Sequence, residues 1–287
     1  MCVGSFTDFS EVDDFTEVEN FSIAPVVSVA IGERTRFTLE GEYTYNDQVV
    51  SWGLPPVGSV LPNPNGEIPR DRFIGEPDSV FNITQGRVGY RLEHQFSDNW
   101  SIQNALQWKT FTTSTPENYF LPGGLRDDNR TLDGDFQAER GDTDIYDLNL
   151  NLTGRFSTGL IRHQLTFGVD LGRYDENLNI LFAPATPLDV FNPIYGQPAT
   201  EPYVPDFVAN NLTDTLGIYI QNQVILAENL KLLLGGRFDL FEQTNPDLLA
   251  DTQTNHQGML LVRVSALFIS PFNPFPSMPA TVARLLQ

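Results

Sequence analysis

Hydrophobic and polar residues alternate strictly in several short segments of the chain. In RFTLEGEYTYN, residues 36–46, the odd positions from Phe37 to Tyr45 carry apolar or aromatic side chains or glycine, and the even positions between them carry Thr or Glu. Because successive side chains of a strand point to opposite faces, this pattern predicts a strand with one apolar and one polar face. The same alternation occurs in residues 87–96, 147–156, 162–172 and 231–241.

About nine such strands are predicted, and their connections alternate between short and long. The short connections IGERT, FSDNW, FSTGL and LAENL hold Gly, Asn or Asp at the corner, which suits tight hairpins. The long segments are rich in Pro, Gly, Asn and Asp, as loops are, and cover roughly residues 47–78, 112–140, 175–211 and 243–256. The predicted strands are residues 15–31, 35–46, 80–96, 100–111, 143–156, 160–174, 212–226, 230–242 and 257–267.

Long strands, with short turns at one end and long loops at the other, predict the fold class. They indicate an all-β chain, an antiparallel meander that forms part of a large transmembrane β-barrel. The short turns would be periplasmic and the long loops extracellular. A compact soluble domain rarely contains structureless loops of this length. The alternative that the pattern leaves open is a large soluble β-sandwich or β-solenoid with one face in water.

Composition and charge exclude several classes of function. The chain has 37 acidic and 17 basic residues and a net charge of −20, which opposes binding to nucleic acid or to an anionic membrane surface. Its single cysteine, Cys2, excludes an intrachain disulfide and a cysteine-rich metal site. The sequence shows no secretory leader and no run of about 18 apolar residues. No catalytic constellation stands out, so we expect neither an enzyme nor a bound cofactor or metal.

Several longer stretches are similar to those of a known family. They are SWGLPPVGSVLPNPNGEIPRDRFIGEP (51–77), RVGYRLEHQFSDNW (87–100), LTGRFSTGLIRHQLTFGVDL (152–171), DVFNPIYG (189–196) and TLGIYIQNQVILAENLKLLLGGRFD (215–239). Together they resemble the barrel of TonB-dependent siderophore receptors of the ferrichrome or hydroxamate type. The resemblance covers roughly residues 9–253. Its most specific parts are GLPPVG followed by PRDRFIGEP, and GIYIQNQ followed by NLKLLLGGRFD.

The resemblance implies an active transporter of the outer membrane. Such receptors hold a plug domain inside a barrel of about 22 strands, bind a ferric siderophore between loops and plug, and contact the TonB complex through a Ton box. The chain shows no similarity to a plug, a Ton box or a signal peptide, and its predicted strands are too few for such a barrel. We therefore expect a receptor fragment in outer-membrane lipid that does not function on its own. The alternatives are a small porin-like channel and a soluble β-rich surface protein.

The resemblance also suggests which side chains would contact a ligand. Aromatic faces hold a bulky, mostly neutral chelate well, and the candidates in or near the long loops are Trp52, Tyr119, Phe120 and Tyr195. The alternative for each is that it packs within its own loop. The net charge of −20 disfavours highly anionic ferric catecholates and favours neutral or cationic hydroxamate chelates.

The C-terminal segment departs from the family pattern. Residues 268–287, FISPFNPFPSMPATVARLLQ, have proline at positions 271, 274, 276 and 279, which a central barrel strand does not tolerate. Back-translation with permitted codons and a frame shifted by one yields YQPIQPISLYASYSRSFAP, which is similar to the next hairpin of a receptor. We therefore expect a partial receptor barrel over residues 1–267 and a frameshifted, disordered tail over residues 268–287.

Overall fold

The computed structural model describes residues 2–10, 15–249 and 252–269, and all the regular elements within them are β-strands. None of these residues forms a helix long and apolar enough to span a membrane. The strands are β1 (Cys2–Ser10), β2 (Glu17–Ile31), β3 (Thr35–Val49), β4 (Val80–Ser97), β5 (Trp100–Ser114), β6 (Tyr119–Leu125), β7 (Thr131–Thr158), β8 (Ile161–Pro184), β9 (Leu188–Asp189), β10 (Val204–Ala227), β11 (Leu230–Asp247) and β12 (Thr252–Ile269).

The strands form one antiparallel sheet with the order β1-β2-β3-β4-β5-β7-β8-β10-β11-β12. The short strands β6 and β9 both pair with β7. Among the residues that the structure describes, β1 and β12 do not pair with each other, so the sheet is open rather than closed. The predicted fold, an all-β antiparallel meander that forms part of a barrel, is confirmed.

The four predicted short turns are hairpin ends. The pairs that close them are Ile31 with Thr35, Ser97 with Trp100, Thr158 with Ile161, and Ala227 with Leu230. Two of these turns require glycine: Gly32 and Gly159 each have a φ of 66°, in the left-handed region that other residues rarely adopt. The turn residues therefore fix where one strand ends and the next begins.

All nine predicted strands are present, and the structure adds three short ones and lengthens several others. β7 begins at Thr131 rather than at residue 143, and β10 begins at Val204 rather than at residue 212. β7 contains 28 residues and is about 90 Å long at ~3.3 Å per residue, whereas a strand crosses a bilayer in about 9–11 residues. The strands thus continue far beyond the thickness of a membrane, and the extension of β7 carries the buried residues Leu132 and Phe136.

The register aligns apolar residues of neighbouring strands in rows. Leu106, Leu148, Leu171, Leu216 and Leu240 are successive Cα partners across five strands. Their side of the sheet is named the apolar face, and an open depression of about 810 Å³ lies over this row. Leu171 is 44% exposed and Leu106 40%, so the described residues leave this face uncovered. A soluble sandwich would stack such a face against a second sheet, and the exposed row argues against that alternative.

The buried apolar core lies among the long loops. Residues 51–79, 119–136 and 185–203, together named the loop cap, meet beyond one end of the membrane-level strands. The members of the core are Ile68, Ile74, Phe120, Leu132, Phe136, Ala185, Leu188 and Val190, each less than 6% exposed. This clustering gives the long connections a fixed structure without helices or long strands of their own.

Residues 270–287, which make up most of the predicted tail, lie outside the described residues. β12 reaches Ile269 and pairs with β11 from Leu230 to Asp247. The frameshift stays a prediction, and the nucleotide sequence downstream of the codon for Leu267 tests it.

Candidate functional site

The face of the sheet opposite the leucine row, named the polar face, carries ion pairs. Along each strand its side chains alternate with those of the apolar face. Nitrogen–oxygen distances are 2.9 Å for Arg87–Glu42, 3.2 Å for Lys109–Asp147 and 2.6 Å for Arg237–Asp170. A cavity of about 320 Å³ lies beside the last two pairs. At the level of the leucine row, carboxylates on this face are thus matched by neighbouring cations.

Two of the sequence motifs hold the loop cap together. The segments PRDRFIGEP (69–77) and DVFNPIYG (189–196) meet through hydrogen bonds, and this contact is named the clasp. Arg72 Nη2 donates to the Phe191 carbonyl at 3.3 Å, the Tyr195 hydroxyl to the Phe73 carbonyl at 2.9 Å, and the Gly196 N–H to the Glu76 carboxylate at 2.7 Å. The residues of these two motifs therefore have a structural role, because they join two loops that are far apart in the chain.

The carboxyl group of Glu76 is buried in the clasp, with 6% of the residue exposed. Burial raises the pKa of this carboxyl group; the hydrogen bond from the Gly196 N–H lowers it, and the nearby charge of Asp78 raises it. Burial has the largest effect because an ionised carboxylate loses its hydration in the interior. The closed clasp consequently favours protonation of Glu76.

Three aromatic side chains gather at the edge of the loop cap. The ring centroid of Tyr119 lies 6.1 Å from that of Trp52 and 6.0 Å from that of Phe81. Tyr119 is 8% exposed, whereas Trp52 is 42% exposed and presents part of its ring to solvent. The three rings form an apolar surface with an open side, which is the kind of surface that a bulky ligand can cover.

A carboxylate lies beside these rings. Tyr119 pairs with Gln137 in the β6–β7 ladder, and Glu139 follows two residues later on the same face of β7. The Glu139 carboxylate accepts hydrogen bonds from the Thr113 hydroxyl at 2.9 Å and from the Gln137 side-chain amide at 2.7 Å. Burial raises the pKa of the Tyr119 phenol, and the charge of Glu139 raises it further. Trp52, Phe81, Tyr119 and Glu139 are together named the aromatic site.

The structure places the four predicted ligand contacts in three environments. Trp52 and Tyr119 lie together in the aromatic site. Phe120 points to the other side of β6 and packs edge-to-face on Phe136 in the core, with ring centroids 6.0 Å apart. Tyr195 is part of the clasp. Contact of any of the four with a ligand stays a prediction.

Sequence reasoning missed Phe81 and Glu139. Phe81 lies at the start of β4, and Glu139 is one of many acidic residues in a stretch that we had expected to be a loop. Only the long-range register of β4, β5 and β7 brings them beside Tyr119, so no local signal marks either one. Within the described residues, no group of three or more His, Cys, Asp or Glu side chains could hold a metal ion.

Comparison with known proteins places most of the chain in one family. The family described as TonB dependent receptor-like, beta-barrel matches residues 26–276. The ferrioxamine B receptor of Salmonella typhimurium strain SL1344 is 28% identical over 246 residues, which cover 83% of this chain and 33% of that protein. The ferrichrome outer membrane transporter/phage receptor of Escherichia coli K12 is 25% identical over 262 residues, covering 83% of this chain and 35% of that protein.

Solved structures show the same fold. The ferric-catecholate import receptor Fiu of E. coli K12 superposes with a TM-score of 0.71 and 17% identity over 93% of this chain and 43% of that chain. FpvA of P. aeruginosa superposes with a TM-score of 0.74 and 18% identity over 95% of this chain and 36% of that chain. The chain spans about a third of the length of the curated relatives it matches.

Proposed function

Because the chain belongs to the TonB dependent receptor-like β-barrel family, we propose that it is a section of the wall of an outer-membrane receptor that takes up ferric siderophores. The relatives are receptors and transporters, so the chain is not an enzyme. A wall section contributes two things to such a receptor: a boundary between lipid and the interior of the barrel, and part of the surface that meets the ligand.

The two-faced sheet is the observation that carries this proposal. The apolar positions of β7 run from Tyr146 to Phe156, which agrees with the roughly 9–11 residues that a tilted strand needs to cross a bilayer. On the opposite face, ion pairs such as Arg237–Asp170 suit a watery interior or a polar domain inside the barrel. Lipid on one side and water or protein on the other would satisfy both faces.

The proposed ligand is a neutral or cationic ferric hydroxamate. The names of two relatives, a ferrioxamine B receptor and a ferrichrome transporter, support this chelate class. A net charge of −20 supports it as well, because an acidic surface repels highly anionic chelates. We assign Trp52 and Tyr119 as ligand contacts, since they share one open surface, and Phe120 and Tyr195 as residues that hold the loop cap in place.

We further propose that the chain does not transport on its own. The outer edges of β1 and β12 pair with nothing in the described part of the chain. Hydrocarbon cannot satisfy unpaired backbone N–H and C=O groups, so an open sheet is unstable in a bilayer. The TonB complex would energise only a receptor in which this section is joined to the remaining wall and to a plug.

Uptake of radioactive iron tests these statements. In a strain without hydroxamate receptors, we expect no ⁵⁵Fe-ferrioxamine uptake with the chain alone. A chimera in which residues 26–267 replace the matching third of the Salmonella ferrioxamine B receptor should restore uptake. The same chimera with Phe167→Arg, which places a charge on the apolar face at mid-height of the membrane-level strands, should fail to accumulate in the outer membrane. A chimera that reaches the outer membrane in normal amounts but binds no ferric siderophore would contradict the proposal.

The two alternative functions predict different results. A porin-like channel would give a reproducible conductance when the chain is added to planar bilayers, whereas a wall section should give none. A soluble β-rich protein would stay monodisperse without detergent, but the exposed apolar face predicts aggregation under those conditions.

A further inference from the structure

Glu139 is a half-buried carboxylate whose charge has no cationic partner. Within the described ranges, no Lys or Arg is paired with it, and the neighbouring Arg140 pairs instead with Asp142 at 3.7 Å. Farther down the polar face, Asp147 and Asp170 are each matched by a basic side chain. A partly buried charge without a partner is unfavourable unless something else neutralises it. Glu139 is therefore one position on this face where a cation is missing.

The carboxylate is also held in place. The Glu139 backbone N–H donates to the Thr115 hydroxyl at 2.8 Å, and the Thr115 N–H donates to the Glu139 carbonyl at 3.0 Å. Each carboxylate oxygen already accepts one hydrogen bond, from Thr113 or from Gln137. Because a carboxylate has about four acceptor positions, it retains capacity for an incoming donor. A fixed carboxylate that keeps free acceptor positions is suited to binding a cationic donor.

The neighbouring rings favour the same kind of group. Trp52 stands at 71° to Tyr119, and Phe81 at 44°, so the three rings present their faces in different directions around one place. Aromatic faces attract cations through the quadrupole of the ring, and Trp does so most strongly. An alkylammonium group combines a positive charge and N–H donors with an apolar chain, which matches a carboxylate next to Tyr119 and the two rings packed on it.

We propose that the aromatic site binds the alkylammonium group of a cationic ferric chelate. This inference rests on the proposed function, because it names the part of a siderophore that the site recognises. Glu139 supplies the counter-charge, and Trp52 and Tyr119 cover the methylene groups next to the ammonium. A bare divalent metal ion is a poorer occupant, because it requires several oxygen ligands and the other members of the site are aromatic.

The test uses two ferric trihydroxamates that differ only at one amine, which is free in the first and acetylated in the second. Binding to the full chain, refolded in detergent micelles, is measured by isothermal titration calorimetry. We expect the ammonium chelate to bind about tenfold more tightly. In Glu139→Gln the preference for the ammonium chelate should fall to within about twofold. The control variant Glu201→Gln, at an exposed acidic position, should keep the wild-type preference.

Trp52→Leu provides a second variant at an exposed position, so misfolding is not expected to obscure its effect. It should weaken binding of the ammonium chelate more than binding of the acetylated chelate. Equal affinities of wild-type protein for the two chelates would overturn the assignment of an ammonium site and leave the proposed siderophore receptor intact. A tenfold preference that persists in Glu139→Gln would overturn the role of Glu139. Absence of binding to both chelates would overturn this inference, whereas uptake by the chimera tests the proposed ligand class separately.

Discussion

Gly168 is a glycine that the polar face requires for a reason other than backbone conformation. It pairs with Tyr219 in the β8–β10 ladder, and a methyl group on Gly168 would overlap Cζ, Cε1 and the hydroxyl oxygen of Tyr219. The Arg237 guanidinium lies 5.4 Å from the centroid of that ring. Its hydroxyl donates a hydrogen bond to Asn151. We predict that Gly168→Ala displaces Tyr219 and removes both contacts.

The magnitude follows from opposing contributions. Replacing glycine by alanine inside a strand is by itself favourable by about 0.5–1 kcal/mol. Displacement of the ring removes a cation–π contact worth about 0.5–1 kcal/mol and a hydrogen bond worth about 0.5–1.5 kcal/mol. Gly236→Ala is the matched control, because its methyl group would meet only one backbone oxygen, at 3.7 Å. We expect Gly168→Ala to be less stable than Gly236→Ala by about 1–2.5 kcal/mol.

Urea unfolding in detergent micelles, followed by tryptophan fluorescence, measures this difference. Micelles let water reach the sheet edges, so the open sheet can be studied there even if it is unstable in a bilayer. In a Tyr219→Ala background no ring remains to be displaced, and Gly168→Ala should then stabilise the protein by about 0.5–1 kcal/mol. If Gly168→Ala and Gly236→Ala unfold at the same urea concentration in the wild-type background, the reasoning about the ring is wrong.

Three further predictions concern the loop cap and its control positions. Because the pKa of Glu76 is raised in the folded protein, its contribution to stability is present below the pKa of an ordinary carboxyl group and is lost as pH rises through the raised value. Glu76→Gln should therefore raise the melting temperature at pH 7.5 and not at pH 4.5. The control Glu67→Gln, at an exposed position, should leave the melting temperature unchanged at both pH values. The Asp128 carboxylate accepts hydrogen bonds from two backbone N–H groups and one hydroxyl, which lower its pKa to about 2. The turn should therefore stay protected from hydrogen exchange until pH falls through that value. Asp128→Ala should speed exchange of the Arg130 and Thr131 amides at neutral pH. Phe136→Ala should destabilise the loop cap by about 3–5 kcal/mol, measured by limited proteolysis, whereas Leu160→Ala, at a turn position that is 98% exposed, should leave the cleavage rate unchanged.

The membrane-level part of the fold could be predicted because two different environments impose the alternation. Leu148 and Leu150 face one side of β7, and Asp147 and Asn149 face the other. The stretch TLDGDFQAERGD from Thr131 to residue 142 also alternates up to Glu139, but its glycine and aspartate content is typical of loops and the alternation breaks at Arg140, so it was not predicted as a strand. Its strand structure comes from ladder pairing with β6, β8 and β9, which a single sequence does not reveal.

The aromatic site could be predicted only in part. Loop composition pointed to Trp52 and Tyr119, because binding residues are common in long loops and aromatic faces suit a bulky ligand. The proximity of Tyr119 to Glu139 depends on the β6–β7 register, and Trp52 reaches Tyr119 from the long connection between β3 and β4. Phe120 differs from Tyr119 by a single position, and the two-residue period of β6 alone sends it into the core instead.

β7 and β8 pair continuously from Thr158 and Ile161 to Asp135 and Pro184. The loop cap can therefore be moved along these strands, or exchanged between receptors, only in steps of two residues. Deleting two residues from each strand above the bilayer would lower the cap by about 6.6 Å and keep each side chain on its own face. Deleting one residue from each would invert inside and outside for everything beyond the cut. A loop cap exchanged between related receptors should therefore be tolerated only when the strand segments between bilayer and cap differ in length by an even number of residues.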